Sequence, residues 1–319
     1  MNRRRERTDM WNTRRGFIQS GAMLAGLTAG AAEAQEQAPA GDLTPAADIQ
    51  VPKMKFFHAE ISRLVLGVNP FYGFAHYNNN FGKTMKEFYT PDRVCAVMHQ
   101  AVRFGINVFN YVHLDRGPQD WARFVAEGGR MHLIPQVTAG VDAAMLVKTI
   151  KPLGLQRQGE VVDNAWQAGK MDTVKEWCKQ VRQLGVLVGV GTHIPEVIAK
   201  IEEENWDVDF YSGCVYNRRR TADEWRKALH GEIMEMQGDI YMQSDPPRMY
   251  KVMRQTKKPC FAFKILAAGR IPESGIEQAF RTAFESIKPT DGVYVGMFPK
   301  FKDEVRINAE IVHRVLTKG

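Results

Sequence analysis

The chain has no long apolar run, no paired cysteine motif and no block of one charge sign, and each gap removes a class of protein. Its only apolar N-terminal stretch, Gly21 to Ala32, is too short and too rich in Gly and Ala to span a bilayer as a permanent helix. The four cysteines, Cys95, Cys178, Cys214 and Cys260, are far apart and make no CxxC pair. Cys95 and Cys178 fall on apolar faces of predicted helices, and Cys214 and Cys260 in or beside predicted strands. They read as small buried hydrophobes rather than a disulfide or metal framework. The formal charge is +7, of which residues 1–34 carry +3. The rest is mixed in sign, with no basic stripe interleaved with aromatics, which argues against nucleic acid as a partner.

What is present begins with an address. Thr13-Arg14-Arg15-Gly16-Phe17-Ile18-Gln19, the weakly apolar run and Ala32-Glu33-Ala34 together resemble a twin-arginine export signal with its cleavage site. The expectation is a signal peptide over residues 1–34, a flexible Pro- and Gly-bearing linker over 35–52, and one domain over 53–319. The mature protein would be periplasmic or secreted, with the twin-arginine translocation machinery as a partner and no stable membrane insertion after cleavage.

From Lys53 onward, β-rich runs alternate with amphipathic helices, which is the pattern of a parallel sheet. The strand candidates are 65–69, 106–111, 131–137, 153–158, 186–192, 208–216, 260–266 and 292–297. Most are continuous apolar runs, as strands covered on both faces should be. Helices are predicted over 91–104, 118–127, 142–150, 172–184, 195–205, 246–256, 274–287 and 302–316, with an extra one over 221–236. Eight β-then-α units in this length close into a single-domain (β/α)8 TIM barrel. An open doubly wound sheet is the alternative, and the lack of a GxGxxG turn after the first strand weighs against it.

In such a barrel the chemistry collects where strands end. The loop after the first strand, Asn69 to Asn80, holds four aromatic rings, His76 and several Asn residues. Asn69, Tyr72 and Tyr77 from it suit a polyhydroxylated or planar ligand, rings covering CH faces while amides pair hydroxyls. Asn110, Gln136, Gln158, Asn217 and Arg218 stand at later strand ends as further substrate-binding candidates. The catalytic candidates are Lys264, His113, His193 and Tyr216. Alternation in Phe261-Ala262-Phe263-Lys264 is expected to turn Lys264 and Ala262 into the barrel and both Phe rings toward the helices. His113 and His193, with His76, could be legs of a metal site. Their spacing is nothing like HExxH, however, and no Asp or Glu sits clearly beside them at a strand end.

Three segments carry a family resemblance. Residues 61–71 (Ile61-Ser62-Arg63-Leu64-Val65-Leu66-Gly67-Val68-Asn69-Pro70-Phe71) resemble the opening strand of the aldo-keto reductase superfamily, and Gly105-Ile106-Asn107-Val108-Phe109-Asn110 its second. Asp291-Gly292-Val293-Tyr294-Val295-Gly296-Met297, with Asp303-Glu304-Val305 and Asn308-Ala309, resembles the last strand and helix, where that family holds a cofactor phosphate. The resemblance implies a barrel. It does not carry over the reductase tetrad of Asp, Tyr, Lys and His. Asn110, Asp115, Gln136 and the Gln156–Gln158 stretch stand at those positions, so nothing evident lowers the pKa of a proton donor.

The leading expectation is therefore an exported enzyme acting by acid–base chemistry on a small polar molecule, a sugar or related carbonyl or hydroxyl compound. Lyase, isomerase and hydrolase chemistry stay open. The alternatives are a divergent NADP-dependent reductase and a non-catalytic periplasmic ligand-binding protein. No cofactor is evident, with NADP and a divalent metal left open.

Overall fold

The predicted strand runs all form strands, shorter than their apolar limits, and they curl into one barrel. The computed structural model of the chain describes residues 48–231 and 238–317. The expected signal peptide and residues 35–47 of the expected linker lie outside the described residues. The end of that linker is packed: Ile49 and Val51 are buried, and the Val51 N–H donates to the Phe104 carbonyl at 2.9 Å.

An antiparallel hairpin, β1 (Lys53–Phe56) and β2 (Ala59–Ser62), comes first. Parallel strands follow: β3 (Leu64–Gly67), β4 (Val108–Asn110), β5 (His132–Leu133), β6 (Gln136–Val137), β7 (Gly154–Arg157), β8 (Leu187–Thr192), β9 (Phe210–Cys214), β10 (Cys260–Phe263) and β11 (Gly292–Gly296). Their order is β5-β4-β3-β11-β10-β9-β8-β7-β6. β5 and β6 are two halves of the predicted third strand, broken where Pro135 has no N–H for the ladder. That one stretch bonds both neighbours. His132, Ile134 and Gln136 donate to Asn107, Phe109 and Tyr111 on the β4 side, while Leu133 and Pro135 accept from Leu153 and Gln156 on the β7 side. The row of strands therefore closes into eight staves, a (β/α)8 barrel.

Among the described residues, eight helices cover the outside: α2 (Pro91–Arg103), α3 (Gly117–Ala126), α4 (Ala143–Ile150), α6 (Met171–Arg182), α7 (Pro195–Glu203), α9 (Asp245–Gln255), α10 (Ile276–Ser286) and α11 (Glu304–Thr317). Local chemistry sets their starts. The Thr90 side chain caps α2 by accepting from the Arg93 N–H, and Pro91 follows at the first helical position. Three further helices sit in strand-to-helix loops: α1 (Asn79–Phe88), α5 (Gly159–Gln167) and α8 (Ala222–Leu229). α8 is the first part of the extra helix expected over 221–236, opened by a Thr221–Glu224 capping box; residues 232–237 lie outside the described residues. Neither α1 nor α5 is among the predicted helices. Asn78, read from the sequence as part of a ligand-binding loop, caps α1 through the Phe81 N–H.

The barrel interior is packed, not open. Phe56 of the hairpin meets Phe210 and Phe261 edge-on at 5.5 and 5.4 Å, and Phe261 stacks on Tyr294 at 4.7 Å. Met54, Ile61, Val65, Val108, Ile134 and Leu153 complete this cluster, so the hairpin plugs the N-terminal end. This corrects the expectation for β10: Phe261 faces the lumen, and Ala262 packs in the layer between strands and helices. A lumen of this width needs large rings to fill it, and an apolar run buried on both faces shows no polarity difference to mark them. Gly189 is required by the same ring packing, because a Cβ there would lie 2.2 Å from the Phe210 ring. Phe261→Ala should therefore cost about 3–5 kcal/mol, read as a lowered urea midpoint with an unchanged slope.

Candidate active site

Two clusters, one buried and one half-buried, meet at the mouth. The first is built on His193, immediately after β8, and Asp163, on α5. Asp163 is fully buried and accepts from the Thr192 hydroxyl at 2.6 Å, the His193 N–H at 3.2 Å and His193 Nδ1 at 2.6 Å. A carboxylate only accepts, so Nδ1 carries the proton and Nε2 keeps its lone pair. Among the described residues nothing bonds Nε2. The ring lies edge-on to Phe263 at 5.4 Å, with Gly159 close behind it. Burial drives the His193 pKa down to about 4; the Asp163 hydrogen bond opposes this, and the charges of Lys264 and Arg218 add to it. His193 is therefore neutral at physiological pH.

The second cluster is built on Asp239, in the segment ahead of α9. Its Oδ2 meets Lys264 Nζ and His76 Nδ1, each at 3.2 Å, and the Tyr241 hydroxyl at 3.3 Å; its Oδ1 meets Arg218 Nε at 3.1 Å. Burial alone would raise this carboxyl. The His76 hydrogen bond and the charges of Lys264 and Arg218 outweigh it and hold the group well below the usual carboxylate range. Lys264 is only 7% exposed, and burial pushes its ammonium down, aided by Arg218 and opposed by Asp239. Asn69 Nδ2 donates to His76 Nε2 at 3.2 Å, which leaves the His76 proton on Nδ1, toward Asp239.

Lys264 reaches this place by a route that strand alternation does not give. β10 ends at Phe263, and Lys264 takes φ +62°, the left-handed region a β-carbon disfavours. That single residue turns the side chain away from the helix side, where alternation would have put it. Arg270 then ties the surrounding loops together. Its guanidinium donates to the carbonyls of Asp239 (2.8 Å) and His76 (3.1 Å) and lies between the Tyr77 and Tyr241 rings at 5.0 and 4.4 Å. Tyr216 stacks on Tyr241 at 4.7 Å.

Lys264, His193 and Arg218 are thus brought together, with Asn69, Tyr77 and Tyr216 around them. The other sequence candidates are placed elsewhere. His113 is half-buried and pairs with the Tyr111 hydroxyl at 2.9 Å. Tyr72 is buried, with its hydroxyl on Asp120 at 3.2 Å. Asn217 is a turn residue, its side chain accepting from the Arg219 N–H and its own N–H donating to Asp245. Gln136 donates to Asn110 at 2.6 Å, and Asn110 to the Ile134 carbonyl at 2.9 Å. A neutral amide pair thus stands where the reductase resemblance would need a charged Asp–Lys pair. Gln158 precedes α5, half-buried, and Asp115 is exposed, 3.6 Å from Lys86. Sequence reasoning missed Asp163, Asp239 and Tyr241, and it expected no acid beside His76 or His193. Asp163 left one trace, an acid directly after the apolar pair Val161-Val162.

Two implied groups can be tested against these residues. Among the described residues no group of three or more His, Cys, Asp and Glu could hold a metal ion. At the start of α11, Asp303 caps the helix through the Arg306 N–H and Glu304 accepts from the Phe298 N–H. Two carboxylates there oppose a cofactor phosphate, and no step below is routed through a nicotinamide.

No family model and no curated protein matches the sequence. Solved structures do resemble it. A putative aldo-keto reductase from Pseudomonas aeruginosa matches with TM-score 0.53 at 14% identity, over 85% of this chain and 96% of that one. A truncated 3-deoxy-D-arabino-heptulosonate 7-phosphate synthase from Thermotoga maritima matches with TM-score 0.47 at 11% identity, over 84% and 91%. The likeness is one of fold, a (β/α)8 barrel.

Proposed function

We propose that this chain is an exported barrel enzyme that moves a proton beside a carbonyl in a small polar organic molecule, with His193 as the base. The observation that carries this reading is a neutral imidazole, oriented by a buried carboxylate, with Nε2 unpartnered among the described residues and two cations close by. Removing a proton from carbon next to a carbonyl leaves negative charge on oxygen. A nearby ammonium stabilises that charge most in a dry site, as it develops. Lys264, ion-paired to Asp239 at 3.2 Å, supplies it. The twin-arginine pattern adds that this chemistry takes place outside the cytoplasm.

The test is deuterium exchange. Incubating the protein in D₂O with a panel of hydroxy-ketones, aldoses and sugar acids should wash deuterium into the carbon beside the carbonyl, seen by proton NMR. Saturable binding without exchange anywhere in the panel would contradict the enzyme reading and favour a binding protein. The pH dependence has a defined sign. The base form of His193 is lost as pH falls through about 4, so on the acid side the rate should fall below about pH 5.

A further inference from the structure

The mouth holds more buried positive charge than its acids answer. Lys264 and Arg218 share one carboxylate, Asp239, while Asp163 is committed to His193. Arg218 is the uneven member of its run. Arg219 engages Asn164, Gln167 and Glu160, and Arg220 is clamped on Asp245 and the Asn217 carbonyl. Arg218, with 18% of its side chain exposed, meets Asp239 through Nε at 3.1 Å. Among the described residues nothing accepts from its two terminal nitrogens. An Arg held by Nε, with its η nitrogens open beside a Lys, is built for two parallel hydrogen bonds to a planar or tetrahedral anion.

We infer that the molecule taken by this mouth is an anion, its carboxylate or phosphate group gripped by Arg218 within reach of Lys264. This rests on the site proposed above and narrows its substrates to acids of the sugar or keto-acid kind, or to their phosphate esters. Such an anion would complete the charge balance of the cluster. It would also fix one end of the substrate while His193 acts on a neighbouring carbon.

Small probes test this without any knowledge of the full substrate. The full chain, labelled at histidine, is titrated with acetate, inorganic phosphate and neutral acetamide up to about 100 mM, and the His193 signals are followed by NMR. Acetate or phosphate should saturate and shift His193 while acetamide does not. The anion that saturates at lower concentration identifies the group. Arg218→Gln should weaken that binding about 10–100-fold, and Arg218→Lys, which keeps the charge without the fork, should weaken it less. Failure of both anions to saturate, or equal binding by Arg218→Gln with a native His193 spectrum, would overturn the inference. Because this readout needs no turnover, anion binding without deuterium exchange would remove only the proton-transfer proposal. Exchange on neutral compounds without anion binding would remove only the anion.

Discussion

Replacing His193 with Asn should lower proton-transfer turnover by about 10²–10⁴-fold, the usual worth of a positioned general base. Asp163→Asn should lose nearly as much. An amide at 163 can present its NH₂ to Nδ1 and move the imidazole proton to Nε2, which abolishes the lone pair at the mouth. The two changes differ in a useful way. Asp163 touches no substrate, so its loss should appear in kcat with KM little changed. A purely structural role would lower thermal stability in proportion and leave the pH profile of the residual activity where it was. Stability carries its own sign. The folded pKa of His193 lies below the ordinary value of 6.5, so its contribution is intact above about pH 6.5 and is lost as pH falls toward 4.

The second large effect is expected at Asp239. Asp239→Ala leaves Lys264 and Arg218, 7% and 18% exposed, without a countercharge, and should destabilise the protein by about 3–5 kcal/mol. The Asp239 carboxyl is held below its ordinary range, so the stability it adds is present above the normal carboxylate pKa and disappears as pH falls further. Wild type should therefore lose part of its margin over the Ala variant in acid, and thermal melts at pH 7 and pH 3 would show the gap narrowing. Added acetate should restore part of the variant's stability at pH 7, since a free carboxylate can enter the vacated place. A variant as stable as wild type at pH 7 would mean that the cluster is solvated and carries no buried charge.

Most of the barrel could be read from residues, because strands covered on both faces leave continuous apolar runs. Proline and Thr caps also mark helix starts such as Thr90-Pro91. Three things could not be read. The β1–β2 hairpin is too short and too charged on its outer face to register as strand pairing. Which of Phe261 and Ala262 faces the lumen depends on the hairpin's Phe56, a partner that only tertiary packing supplies. The position of Lys264 depends on one left-handed residue beyond the strand end, and alternation cannot foresee it. The site was half legible: His193, Lys264 and Arg218 stand at strand ends, where barrels keep their chemistry. Their partners Asp163 and Asp239 come from an inserted helix and a loop, far away in sequence and outside any fixed spacing.

The most direct measurement is the titration of His193 in protein labelled with ¹⁵N at histidine. The expected result is a neutral ring with its proton on Nδ1 from pH 8 down to about pH 5, and protonation only near pH 4. An imidazolium at pH 6, or a neutral ring protonated on Nε2, would contradict the assignment of His193 as the base at the mouth of this barrel.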